Sequence, residues 1–122
     1  MNSRFEYSRS DRVRKALMKE VSDIIRTHIK EPALTEHLVS VFDVEVSRDL
    51  RHAKIFVSVL GEADDQKNVM DILTEWTPAV RSEIGKRVRL RYTPEIKFVL
   101  DDSLARGTRV TELLNKISRG EV

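Results

Sequence analysis

The chain has 122 residues, 40% of them hydrophobic and 34% charged, which suits one globular domain with a real core and excludes a wholly disordered chain or a membrane-spanning bundle. It contains no cysteine, so disulfides and thiolate metal sites are out, and its longest apolar runs are far short of a bilayer's thickness. The net charge of +2 conceals a segregation along the chain: residues 1–30 and 76–98 each hold four more cations than anions, whereas residues 31–75 hold six more anions than cations.

The N-terminus, MNSRFEYSRSDR, lacks the apolar centre of a secretion signal, so a cytoplasmic protein is expected, with residues 1–9 as a basic arm. From Ser10, a candidate cap, Val13, Leu17, Val21, Ile24, Ile25 and His28 recur at helical spacing until Pro32, which reads as the stop. His28 on that stripe is expected at the core or its boundary. The outer face carries Arg12, Arg14, Lys15 and Lys19. Phe42, Val44 and Val46 then alternate with Asp43 and Glu45, and Ala53, Ile55, Val57 and Val59 alternate with Lys54, Phe56 and Ser58, so a hairpin of two strands is expected. Phe56, opposite in phase to its neighbours, belongs on the other sheet face.

After Gly61, the acidic run Glu62, Asp64 and Asp65 suits a helix N-terminus, and Val69, Ile72, Leu73 and Trp76 supply an apolar stripe. Thr77-Pro78 reads as one helix stopping and a second starting, since Thr is a good N-cap and Pro a favoured first helical residue. Trp76, Thr77 and Pro78 are therefore the expected kink. A third strand with Ile96, Phe98 and Leu100 inward follows, then Asp101-Asp102-Ser103 and a last helix on Val110, Leu113, Leu114 and Ile117.

Between the helix pair and the third strand, the chain changes both its periodicity and its charge. Arg87, Arg89 and Arg91 alternate with Val88, Leu90 and Tyr92, so an extended chain would turn guanidinium groups outward and apolar groups inward. Arg81 and Lys86 stand just upstream. Arginine's planar fork stays charged and donates hydrogen bonds in pairs, which matches phosphate oxygens. The candidate RNA-binding set is Arg81, Lys86, Arg87, Arg89 and Arg91, joined by Arg9, Arg12 and Lys15 from the first basic segment.

No catalytic constellation accompanies these residues. His28, His37 and His52 lack zinc-ligand spacing, and Asp64-Asp65 and Asp101-Asp102 sit where helices begin, which favours capping over acid–base or metal work. Gly85-Lys86 lacks the upstream glycine and the following Ser or Thr of a phosphate loop. The expectation is a protein that is not an enzyme and that uses neither metal nor cofactor nor a small-molecule substrate.

The element order α-β-β-α-(kink)-α-β-α implies an α+β fold whose second and third strands are parallel, joined by a right-handed helical crossover. It matches the type II KH topology: one KH-like domain over residues 1–122, with a three-stranded mixed sheet and helices on one face. Such domains ordinarily clamp RNA with a GxxG loop, but Gly61, Gly85, Gly107 and Gly120 contain no pair three apart.

Within that class the chain resembles the ribosome-binding factor A family of bacteria, whose KH-like domain lacks GxxG and has a kinked helix pair instead. The resemblance is carried by Arg12-Val13, by VSRDLRHAKIFVSVLG at 46–61, by RSEIGKRVRLRYTPEIKF at 81–98 and by DDSLARGTRVTELL at 101–114. The family's kink usually has an Ala-x-Gly pattern, where this chain has Trp76, Thr77 and Pro78. The resemblance implies a non-enzymatic assembly factor, and a monomer not bound to a membrane is expected. Its implied partner is 16S rRNA within the free 30S subunit or its precursors, and its implied roles are 16S rRNA maturation, including 5′-end processing, and cold adaptation. The alternative from the residues alone is a KH-like protein-interaction module without direct RNA binding, whose arginines pair internally.

Overall fold

The computed structural model describes residues 9–101. Residues 1–8 of the arm expected over 1–9, and the last helix on Val110, Leu113, Leu114 and Ile117, lie outside the described residues. Helix α1 spans Arg9–Thr27 and buries Val13, Leu17, Val21, Ile24 and Ile25, the stripe expected from their spacing. Arg9 is its first residue, not part of an arm, and Ser10 lies inside the first turn where a cap was expected. His28 falls past the helix end with its side chain 45% exposed, and Ile29 takes the buried place instead.

Pro32 does not merely stop a helix. Its fixed φ opens a five-residue helix, α2, over Pro32–Glu36, which places Leu34 in the core. Strands β1 (Ser40–Val46) and β2 (His52–Ser58) form the expected antiparallel hairpin. A bulge between Val41 and Asp43 shifts their register, so Val41 stands opposite Val57 while Phe42 turns out and is 59% exposed. The extra residue interrupts strict alternation, which is why Phe42 does not point inward with Val44. The hairpin turn is held by side chains: the Ser47 hydroxyl donates to Asp49 Oδ1 at 2.7 Å, and the Arg51 N–H donates to the same oxygen at 3.0 Å. Those two bonds, the Ser47 hydroxyl's first, hold the Asp49 carboxyl below the usual range.

Helix α3 runs unbroken from Ala63 to Arg87, with Pro78 inside it. Its start is capped as the acidic run suggests, the Asp65 carboxylate accepting the Glu62 N–H at 3.0 Å. The expected stop and restart at Thr77-Pro78 is not made. Thr77 does not cap a new helix; its hydroxyl donates back to the Leu73 carbonyl at 2.9 Å. The reason is visible in the core: Val69, Leu73, Val80 and Ile84 are all fully buried and keep one helical phase across the proline. Pro78 sits on the exposed side and removes a single ladder bond. Trp76 packs half-buried against the core.

Strand β3 (Glu95–Leu100) pairs parallel with β2, giving the sheet order β1-β2-β3. Val44, Ile55 and Phe98 lie in one cross-strand row, and Ala53 with Ile96 in the next, all buried on the face that α1 and α3 cover. The opposite face carries Lys54, Phe56 and Lys97, with Phe56 half-buried beside Val99, as its phase requires. The α+β class, the mixed three-stranded sheet and the helical crossover are those expected. No described helix is long and apolar enough to cross a membrane.

Candidate nucleic-acid interface

The basic segment begins where α3 ends, and the structure divides its cations into two groups. Arg87, in the last turn of α3, turns inward toward α1. Its Nη1 donates to Asp23 Oδ2 at 2.6 Å and Glu20 Oε1 at 3.2 Å, while its Nε donates to Glu83 Oε2 at 3.1 Å. The side chain is only 21% exposed. Its hydrogen bonds are the main cause that holds the Asp23 and Glu83 carboxyls below the usual range, and the carboxylates in turn raise the guanidinium's pKa. Arg87 therefore ties α3 to α1 and is not part of an open cationic surface, contrary to the alternation in the sequence.

Arg81 is also engaged. Its Nε and Nη2 donate to the Pro94 and Thr93 carbonyls at 3.1 and 3.0 Å, and Nη2 lies 3.2 Å from Glu95. The guanidinium thus fastens the loop before β3 onto α3. Gly85 helps on the same helix face, because a Cβ there would meet Thr93 Oγ1 at 3.1 Å. Lys86 is exposed and reaches Glu83 at 3.8 Å.

Residues 88–94 form an irregular connection and not a strand. Alternation survives over four residues: Val88 and Leu90 pack against the core, while Arg89 and Arg91 are exposed. Tyr92 breaks it, being 54% exposed where an inward ring was expected. The ring lies against the hairpin turn, with the Arg51 guanidinium carbon 4.8 Å and that of Arg91 5.7 Å from its centroid. Arg51 was absent from the sequence-based set. Its only signal is a basic residue in a polar turn, and nothing local links it to Tyr92.

Around the ring the expected residues partly converge. Arg9, from the start of α1, joins Asp49, Leu50, Arg51, Leu90, Arg91 and Tyr92 in lining a recess of about 300 Å³. A second recess, of about 530 Å³, shares Arg91 and Tyr92 and runs along α3 past Arg81 and Gly85. Arg12 and Lys15 are exposed on α1 but line neither. Arg14, read as another outer cation, is paired with Asp43 at 2.6 Å and donates to the Val44 carbonyl at 3.1 Å. The Arg14 bond is the larger cause of the lowered Asp43 pKa. Among the described residues no three His, Cys, Asp or Glu side chains gather as a metal site.

Residues 9–114 match the sequence model of the family described as ribosome-binding factor A. A ribosome-binding factor A of Gloeobacter violaceus is 54% identical over 114 residues, covering 93% of this chain and 88% of that protein. The crystal structure of ribosome-binding factor A from Thermus thermophilus superposes with a TM-score of 0.67 at 19% identity, over 76% of this chain and 97% of that one. A homology model of the Thermus thermophilus factor, fitted into the cryo-EM map of its complex with 30S, gives 0.59 at 18% identity, over 71% of this chain and 89% of that one. The two structures agree with the fold, and the sequence matches over nearly the whole chain decide kinship: the chain belongs to the ribosome-binding factor A family.

Proposed function

We propose that this chain is a non-enzymatic assembly factor that binds the immature 30S subunit through 16S rRNA and assists its maturation, including 5′-end processing and growth in the cold. Family membership supports the ribosomal partner. One structural observation supports RNA as the contacted component: the exposed Tyr92 ring, flanked by Arg51 and Arg91, in a recess that Arg9 also lines. Cations and an exposed aromatic together suit an unpaired strand. The sequence offers no nucleophile, base or metal motif to turn binding into cleavage, so processing would be performed by other proteins on a subunit this chain holds.

The internal pairing of Arg81 and Arg87 favours, in part, the alternative of a protein-interaction module. Comparing binding to purified 30S precursors, mature 30S and protein-free 16S rRNA separates the two. The proposal expects measurable affinity for protein-free rRNA, tighter binding to the precursors, and no change in RNA length with magnesium present. Binding to subunits with none to protein-free rRNA would instead establish the protein-interaction reading.

A further inference from the structure

We infer that Tyr92 is a stacking site for a single unpaired nucleobase, with Arg51 holding the ring from the hairpin turn and Arg9 and Arg91 receiving the flanking phosphates. The inference rests on the RNA-binding reading and gives it a chemical form: an extruded nucleotide in a single-stranded segment.

The geometry is specific. Tyr92 is a large aromatic that the fold leaves 54% exposed, although the neighbouring Val88 and Leu90 find the core. It is also held. The Arg51 guanidinium lies 4.8 Å from the ring centroid, and its backbone N–H is fixed by the Asp49 carboxylate at 3.0 Å. The loop carrying Tyr92 is fastened on its other side, where Arg81 donates to the Thr93 and Pro94 carbonyls at 3.0 and 3.1 Å. A ring fixed from both sides loses little freedom when a base stacks on it.

Tyr92 and Arg91 also line both recesses, so the ring stands where a strand passing from one to the other must cross it. Three arginines, Arg9, Arg51 and Arg91, line the first recess. The one anion there, Asp49, is occupied by the Ser47 hydroxyl and the Arg51 N–H. The local charge therefore favours a polyanion. Asp and Glu side chains of an acidic peptide would satisfy the arginines but carry no aromatic face to stack on the ring. A duplex keeps its bases stacked on each other and offers none to Tyr92.

The test uses the full chain and a short single-stranded oligoribonucleotide carrying one 2-aminopurine, whose fluorescence is quenched on stacking, beside the same sequence as a duplex. The parent and Tyr92→Trp should quench the probe. Tyr92→Leu should lose the quenching and at least about fivefold in affinity for the single strand, with duplex binding much less affected. Quenching by the parent needs no variant, so the test stands even where Tyr92→Leu fails to fold. Unquenched probe bound by the parent, Tyr92→Leu indistinguishable from the parent, or displacement of the probe by polyglutamate in preference to unlabelled oligoribonucleotide would each overturn the stacking site. Continued binding of the parent to small subunits in those cases would leave the proposed function standing; loss of all RNA and subunit binding would remove both.

Discussion

Arg87 shows how an alternating pattern can mislead about a single residue. One of its carboxylate partners, Glu83, is four residues back on the same helix and is legible as a helical pair, but Glu20 and Asp23 come from α1 and only tertiary packing brings them there. Replacing Arg87 with Ala leaves three carboxylates facing one another, so it should lower the melting temperature and leave the proposed RNA contact at Tyr92 in place. The pH dependence has a definite sign. Asp23 and Glu83 have depressed pKa values in the folded state, so the stability they contribute is present above their ordinary values of 3.8 and 4.5 and is lost as the pH falls through the lower folded values. The gap in melting temperature between the parent and Arg87→Ala should therefore be full above about pH 5 and close in acid, as thermal melts across pH will show. A gap unchanged down to acid pH would mean that the ion pairs at Arg87 contribute nothing. Tyr92 and Arg51 escaped the sequence for a related reason. Their meeting joins a hairpin turn to the loop before β3, and neither segment's local pattern encodes it.

Among the elements, α1, the hairpin and β3 were legible because each carries a long, regular apolar period that burial then satisfies. Three local signals were ambiguous. Pro32 disfavours a helix before it and favours one after it, so the short α2 was hidden behind a stop signal. The bulge at Val41–Asp43 turned Phe42 outward, and alternation alone does not reveal an inserted residue. Thr77-Pro78 has the chemistry of a helix start, yet the buried stripe from Val69 to Ile84 stays in phase across it and one helix results. That continuity makes a prediction about α3. Pro78→Ala restores a ladder bond to a helix that is already continuous, so urea denaturation should show it neutral or stabilised by up to about 3 kcal/mol. Trp76→Ala should cost about 2 kcal/mol, below the range for a fully buried aromatic, because the ring is half-buried. A clear loss of stability in Pro78→Ala would show that the proline's geometry, not the apolar stripe, sets how the two halves of α3 pack.

At the scale of the molecule, the basic residues after α3's midpoint resolve into a paired group and an exposed group. Part of the basic segment is internal: Arg87 binds α3 to α1, and Arg81 binds the loop before β3 to α3. The remainder, Lys86, Arg89 and Arg91, is exposed, and Arg91 meets Arg9 and Arg51 around Tyr92. The central claim is that these exposed arginines, and not Arg87, carry the contact with rRNA. The measurement that tests it most directly is the affinity for purified 30S precursors across a salt series, for the parent and for a folded variant with Arg9, Arg89 and Arg91 all changed to Gln. Each phosphate contact to a single strand contributes about 0.7 to the slope of log affinity against log salt, so the account predicts weaker binding and a slope shallower by about 2. A folded variant that keeps both the parent's affinity and its salt slope would contradict it.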